Sequence, residues 1–166
     1  MHHGPRTEQA GERSGQDGPD TLLAVDPSAP TLTLDAHVYD AMTALALAEY
    51  PLEACGLLAG VPGSHVVSAF YPCGNTERSA RIYTVDPRDH LRAERAAEER
   101  GLEIVGVMHS HTHTEAYPSP TDVAAAPDPA WSYVIVTLKR ERPEARAFRI
   151  RSSEAEPIDE IPLSVG

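Results

Sequence analysis

The segment "EIVGVMHSHTHTEAYPSPTD", residues 103–122, constrains the fold of this chain more than any other stretch. Its first half has the pattern of an apolar strand. Because alternate strand residues face the same side of a sheet, His109 and His111 are expected to point the same way at the polar end of that strand. Further on, Ser119 and Pro120 are typical of a helix N-cap and a first helical residue. The segment therefore predicts a buried strand, a loop and a helix start that meet at one edge of a sheet.

The surrounding patterns predict an α/β domain with a mixed sheet. One helix is expected to begin at the N-cap Asp35 and to stop at Pro51, and a second to begin at Asp86-Pro87 and end at Gly101. Strand patterns lie between and after these helices. They are "CGLLAGV" and "HVVSAFYPC", expected to form a hairpin, then "IYTV", "WSYVIVTLK", "ARAFRIRS" and "EPIDEIPLS".

Two regions of different composition divide the chain. Residues 1–30 are rich in Gly, Pro, Ser, Gln and charge, with few strongly apolar residues, and are predicted to form a disordered tail. Residues 31–166 carry the periodic patterns and are predicted to form a single domain, which agrees with a length of 166 residues.

The charge balance disfavours two classes of partner. The net charge is −11, with 14 Lys and Arg against 25 Asp and Glu. Nucleic acids and anionic membranes need clustered basic residues, so neither is an expected partner. No apolar window reaches the roughly 18 residues of a membrane span. Two cysteines provide no disulfide framework, which favours a reducing, cytoplasmic location.

The histidines and a following acid form a candidate metal site. Asp122 falls in the first turn of the helix that begins after Ser119, at the same sheet edge as His109 and His111. Two histidines and one carboxylate suit Zn²⁺ and leave a fourth position open, as catalysis requires. The alternative is a histidine-rich surface loop. His113 could be a third histidine ligand, but a loop position or substrate contact is favoured because strand alternation is expected to end before it.

Hydrolysis at such a site also needs a proton carrier, and Glu53 is the leading candidate. It follows the predicted first helix and precedes an apolar strand, although a solvated loop acid would fit the same position. Ser119 is explained by helix capping alone, and its hydroxyl could also donate to a developing oxyanion. Cys55 and Cys73 are interpreted as packing residues.

Together these residues resemble the signature of the JAMM (MPN+) metalloprotease family. That signature is a distant glutamate followed by His-x-His, seven residues, Ser, two residues and Asp. Here it is met by Glu53, His109, His111, Ser119 and Asp122. The resemblance extends over about residues 32–152 and implies a curled mixed β-sheet flanked by helices.

The resemblance also implies a role for each of these residues. Zn²⁺ would be bound by His109, His111 and Asp122. Glu53 would act as general base and then acid, and Ser119 would steady the tetrahedral intermediate.

Within the family, the chain is similar to small bacterial members that work with ubiquitin-like sulfur-carrier proteins. The implied reaction is cleavage after the carrier's C-terminal Gly-Gly, with release of cysteine from a carrier–cysteine adduct. Thr112 departs from the proline that many members have after the second histidine, which argues against a eukaryotic-type deubiquitinase. An isopeptidase that removes ubiquitin-like modifiers, or a non-catalytic zinc-binding MPN module, remains an alternative. The oligomeric state does not follow from the sequence.

Overall fold

The computed structural model describes residue 25 and residues 28–166, and the predicted tail lies almost entirely outside this described part. The structure confirms the α/β class, with strands and helices interleaved along the chain. In chain order the elements are β1 (Leu32–Leu34), α1 (Ala36–Glu49), β2 (Cys55–Gly60), β3 (Val66–Val67), β4 (Ala69–Cys73), α2 (Pro87–Glu99), β5 (Glu103–His111), α3 (Pro120–Ala125), β6 (Ser132–Thr137), β7 (Glu144–Ile150), β8 (Ile158–Ile161) and β9 (Leu163–Val165).

A six-stranded mixed sheet forms the centre of the domain, in the order β4-β2-β5-β6-β7-β8. β5 and β6 are its parallel pair, and the other neighbours are antiparallel. α1 packs on one face, where Met42 belongs to the same buried cluster as Met108. α2 packs on the other face, where Ala93 clusters with Val107. Adjacent residues of β5 therefore serve opposite cores, as strand alternation requires, and the predicted mixed sheet flanked by helices is confirmed.

A smaller parallel sheet, in the order β3-β1-β9, changes two of the sequence predictions. The expected hairpin is confirmed by the antiparallel pairing of β2 with β4, but Val66–Val67 leaves it to pair with β1. The segment "EPIDEIPLS" forms two strands rather than one. β8 extends the large sheet, β9 extends the small one, and Pro162 stands between them.

The predicted strand "IYTV" is wrong. Only Val85 forms a bridge, an isolated one with Asn75. The Asn75 side chain takes the place of a strand neighbour: its Oδ1 accepts from the Thr84 N–H at 3.0 Å and its Nδ2 donates to the Ile82 carbonyl at 3.0 Å. The backbone here is satisfied by an amide side chain, so it needs no ladder.

Both long helices begin at the predicted caps, with one difference. The Asp86 carboxylate accepts from the Arg88 N–H, whereas the Asp35 side chain makes no capping hydrogen bond. Among the described residues, none of the helices combines the length and apolar character needed to cross a membrane.

Candidate metal centre

β5 ends on two histidines whose rings converge. The Nε2 atoms of His109 and His111 lie 3.1 Å apart, and both side chains are buried. Ser110, between them, points to the other face of the sheet, where its hydroxyl accepts from the Ala54 N–H at 2.7 Å. The prediction that the two histidines share one face is therefore confirmed.

The start of α3 brings Asp122 to the same place. The Ser119 hydroxyl accepts from the Asp122 N–H at 3.1 Å, and Asp122 Oδ2 accepts from the Ser119 N–H at 2.9 Å, a reciprocal capping box. The same Oδ2 lies 3.1 Å from His109 Nε2 and 3.2 Å from His111 Nε2. The helix start thus fixes the carboxylate against both rings.

These three atoms fit a tetrahedral metal ion. Ligand atoms bonded to Zn²⁺ at about 2.0–2.2 Å are about 3.4 Å from one another in a tetrahedron. The observed separations of 3.1, 3.1 and 3.2 Å are close to that edge length. The donor set of two imidazoles and one carboxylate is also one that Zn²⁺ accepts.

The protonation of His111 strengthens this interpretation. Its Nδ1–H donates to the Glu115 carbonyl at 2.7 Å, so the neutral ring presents a bare lone pair at Nε2. That lone pair faces the Asp122 carboxylate at 3.2 Å, an arrangement that either a proton on Nε2 or a metal cation between the two atoms stabilises. His109 differs, since its buried Nδ1 has no hydrogen-bond partner among the described residues.

Glu53 lies beside the two histidines with an unpaired carboxylate. The residue is 2% exposed, and neither carboxylate oxygen has a hydrogen-bond partner among the described residues. Its backbone is well anchored, because the Glu53 N–H donates to the Ser79 carbonyl at 2.8 Å and the Glu53 carbonyl accepts from Asn75 Nδ2 at 3.2 Å. The fixed backbone keeps the free carboxylate directed at the centre.

The carboxylates of Glu53 and Asp122 are both candidates for the third metal ligand, and their distances from the two histidines distinguish them. Glu53 and the two histidines offer ligand atoms that all lie within 4.8 Å of one another. Glu53 Oε1 is nevertheless 4.0 Å from His111 Nε2, whereas Asp122 Oδ2 is within 3.2 Å of both rings. Asp122 therefore completes the ligand triangle better, and Glu53 lies one step further out, where a group bound at the open position would meet it.

Burial and neighbours move the pKa values of these groups apart. Burial raises the pKa of Glu53 from 4.5 to about 7, opposed by His111 and supported by Asp122. Burial also acts to raise the pKa of Asp122, but its contacts with His109 and His111 outweigh this and keep that pKa well below its usual range. Burial lowers the pKa of His109. An ionised Asp122 and a neutral His109 are the forms that bind metal.

His111 is affected in the opposite direction. Burial acts to lower its pKa, but the hydrogen bonds with Asp122 and the Glu115 carbonyl outweigh that cost and raise it. His111 lies between two carboxylates, with Glu53 Oε1 at 4.0 Å and Asp122 Oδ2 at 3.2 Å from its Nε2, and both charges act to raise its pKa.

A cavity of about 580 Å³ opens beside the centre and is lined by Glu53, Ser119 and His111, with Arg81 and His113. His113 is not part of the ligand triangle. Its Nδ1 lies 2.9 Å from the Thr112 hydroxyl and its Nε2 lies 3.4 Å from the Tyr50 hydroxyl. The exposed ring therefore belongs to the cavity wall, which agrees with the sequence interpretation of a loop residue or substrate contact.

The two cysteines are cross-strand neighbours, and Cys55 is also the register partner of His109 in β5. Cys55 and Cys73 are register partners in β2 and β4, and both are free. Burial raises the pKa of the Cys55 thiol to about 12 and that of Cys73 to about 11. Both remain protonated near neutral pH, which agrees with their interpretation as packing residues.

Sequence reasoning missed one residue that contacts the centre. The Tyr83 ring stacks on the His109 ring, with centroids 4.3 Å apart and planes 18° from parallel. Tyr83 lies in "IYTV", which was interpreted as a strand. An aromatic residue in a short segment between polar loops carries no periodicity that would assign it to a site.

Residues 35–151 are similar to a known protein family, and most of the chain is similar to a named bacterial peptidase. A family model described as prokaryotic homologs of the JAB domain matches residues 35–151, which include all five predicted site residues. The CysO-cysteine peptidase of Mycobacterium tuberculosis is 42% identical over 120 residues, covering 72% of this chain and 82% of that protein.

A more distant relative and a solved structure extend the match. A protein of Thermus thermophilus described as a probable TtuB-protein conjugate cleaving protease is 37% identical over 81 residues, covering 48% of this chain and 53% of its own length. A solution structure of a Desulfitobacterium hafniense protein has a TM-score of 0.73 and 33% identity, covering 81% of this chain and 92% of that one.

Proposed function

The chain belongs to the family of prokaryotic homologs of the JAB domain, and we propose that it is a zinc peptidase that cleaves the bond after the C-terminal Gly-Gly of a ubiquitin-like sulfur-carrier protein. Membership confirms the resemblance to the JAMM (MPN+) peptidases. We infer release of cysteine from a carrier–cysteine adduct because the Mycobacterium tuberculosis relative is named for that substrate and is 42% identical.

One observation carries the proposal: three ligand atoms of His109, His111 and Asp122 lie within 3.2 Å of one another, beside the unpaired Glu53 carboxylate. A structural zinc site would use a fourth protein ligand, whereas this one opens to the cavity. A zinc ion bound there would lower the pKa of a water molecule and polarise the scissile carbonyl.

Glu53 is the proton carrier in this proposal. Its carboxylate takes a proton from the attacking water and returns it to the nitrogen of the leaving amine. A general base works best with a pKa near the working pH, and burial brings the pKa of Glu53 to about 7. The absence of a hydrogen-bond partner among the described residues leaves both oxygens available for this transfer.

Ser119 has two compatible roles in the proposal. Its oxygen accepts from the Asp122 N–H, which keeps the metal-binding carboxylate in place. A hydroxyl that accepts one hydrogen bond still has its own proton to donate, and Ser119 lines the cavity. That proton is directed to the developing oxyanion of the substrate carbonyl.

The test uses a ubiquitin-like sulfur carrier from the same organism with one cysteine added after its Gly-Gly. The zinc-loaded protein is incubated with this adduct, and intact-mass spectrometry follows the carrier. The expected result is the loss of one cysteine, which leaves a carrier that ends at Gly-Gly. An unchanged adduct in the presence of the zinc-loaded protein would contradict the substrate assignment.

Cleavage of carrier–protein conjugates is a second candidate, favoured by the Thermus thermophilus relative described as a conjugate cleaving protease. The same carrier linked through its terminal glycine to a lysine side chain of a protein distinguishes the two. Faster turnover of this conjugate than of the cysteine adduct would favour the isopeptidase. A non-catalytic module is disfavoured because the ligand triangle and the unpaired glutamate are both present.

A further inference from the structure

Arg81 is a charged residue of the cavity for which the proposed chemistry has no role. It lines the same cavity as Glu53, His111 and Ser119 and is the only lysine or arginine among the residues described there. Its guanidinium makes no hydrogen bond or ion pair with any described residue, although its backbone is bonded. An arginine with five free donors at the wall of a reaction cavity is available for a ligand.

The backbone that carries Arg81 is fixed to the metal centre on two sides. On one side, the Ser79 carbonyl accepts from the Glu53 N–H at 2.8 Å, and the Ser79 hydroxyl accepts from the Arg81 N–H at 3.0 Å. On the other side, the Ala80 carbonyl accepts from the Thr112 hydroxyl at 3.4 Å. These contacts hold the backbone of Arg81 at a fixed position relative to Glu53 and His111.

Thr112, the residue at which the chain departs from the proline common in the family, joins this anchor to His113. Its oxygen is 2.9 Å from His113 Nδ1, and His113 Nε2 is 3.4 Å from the Tyr50 hydroxyl. A proline at position 112 would have no hydroxyl for either contact. The position of the Arg81 segment is thus coupled to the Thr112 side chain.

The electrostatic surroundings indicate what Arg81 binds. Glu53 and Asp122 bring two carboxylates to the centre, and the whole chain carries a net charge of −11. A Zn²⁺ ion bound there would be offset by these two carboxylates, so a negatively charged substrate group still needs a cation of the protein for favourable binding. A guanidinium matches a carboxylate in shape and charge, because its parallel N–H groups contact both oxygens.

We propose that Arg81 binds the free α-carboxylate of the residue released from the carrier. This inference rests on the proposed function and deepens it, because it makes the enzyme an exopeptidase for one C-terminal residue. A lysine side chain in an isopeptide conjugate presents no carboxylate next to its amine. Arg81 would therefore favour the cysteine adduct over the conjugate.

The test measures binding separately from turnover, on zinc-loaded protein that carries Glu53→Gln. Two semisynthetic adducts are compared by titration calorimetry, one ending in cysteine with a free carboxylate and the other in cysteine amide. The free acid is expected to bind about tenfold more tightly. The strength of this charge-assisted pair at the cavity wall should lie between that of a fully exposed ion pair and that of a buried one. This preference should decrease as salt increases.

Three further variants locate the preference at one side chain. Arg81→Gln should abolish the preference for the free acid, and Arg81→Lys should restore part of it without bidentate geometry. Arg78→Gln is the matched control, because Arg78 lies in the same loop but lines the neighbouring cavity. This control should keep the preference.

Each result decides a different statement. Equal binding of acid and amide by the protein with Arg81 intact overturns the role of Arg81, and so does a preference that survives Arg81→Gln. If the acid is preferred and Arg81→Gln removes the preference, Arg81 is the carboxylate site. This conclusion holds even if the wild-type protein cleaves neither adduct. Absence of cleavage would count against the proposed function alone. Failure of both adducts to bind would overturn both proposals.

Discussion

Replacement of the buried carboxylate, Glu53→Gln, is expected to stabilise the metal-free protein while it removes turnover. Glu53 is 2% exposed, and both of its oxygens lack a hydrogen-bond partner among the described residues. An ionised carboxylate in such a place costs folding free energy, because burial removes its hydration without a compensating donor. Glutamine has nearly the same shape and carries no charge, so the substitution removes this cost.

The magnitude follows from the pKa of Glu53, about 7 in the folded protein against an ordinary 4.5. Below pH 4.5 both folded and unfolded chains carry the proton, and ionisation costs nothing. As pH rises from 4.5 to 7, the unfolded chain loses its proton first, so the folded state loses stability. Above pH 7 the cost is constant, and at about 1.4 kcal/mol for each tenfold change in acidity it reaches about 3 kcal/mol.

The assay is thermal and urea unfolding of both proteins in EDTA, at pH 8 and at pH 4. At pH 8 the variant should unfold roughly 10 °C higher, given about 3 °C per kcal/mol for a domain of this size. At pH 4 the difference should vanish. Glu99→Gln, at the exposed end of α2, is the matched control and should change stability by less than about 0.5 kcal/mol. A variant no more stable than wild type at pH 8 would show that the buried Glu53 carboxylate does not destabilise the fold.

Three further predictions concern the metal-binding carboxylate, the Ser119 hydroxyl and the substrate tail. Asp122→Asn retains an acceptor for the Ser119 N–H but loses the charge. Zinc affinity, measured by competition with a chromophoric chelator, should fall by more than the roughly 10–100-fold that loss of an outer-shell partner costs. Unchanged affinity would exclude Asp122 as a ligand. Ser119→Ala should lower stability by about 1 kcal/mol and turnover by about 100-fold, whereas Ser119→Asp should keep the helix cap and lower turnover only. Normal turnover by either variant would show that the Ser119 hydroxyl has no role in the reaction. A carrier ending in Val-Val instead of Gly-Gly should resist cleavage in the intact-mass assay, and equal cleavage would show that the slender tail is not selected.

The convergence of His109, His111 and Asp122 could be predicted from the sequence because local rules determine it. Strand alternation directs His109 and His111 to one face, and the reciprocal cap between Ser119 and Asp122 positions the carboxylate. Both rules act over a few residues and need no knowledge of the rest of the chain. The relation of Glu53 to this centre is long-range, and the family signature supplied it.

Other parts of the fold depend on contacts that no local pattern contains. β3 has only two residues and joins the small sheet through parallel pairing with β1, although its sequence continues the pattern of a hairpin. Tyr83 reaches His109 because Asn75 replaces the strand ladder with amide hydrogen bonds. A β-propensity pattern in "IYTV" could not reveal that a side chain elsewhere satisfies its backbone.

We propose that His109, His111 and Asp122 bind a zinc ion and that Glu53 carries the proton for hydrolysis. Native mass spectrometry of wild type and Glu53→Gln, each mixed with zinc and the carrier–cysteine adduct, reports zinc binding and turnover from one pair of spectra. One zinc ion on each protein, with cysteine lost from the carrier only in the wild-type mixture, is the predicted result. Wild type without zinc would contradict the metal site, and cysteine lost at the wild-type rate with Glu53→Gln would contradict the role of Glu53.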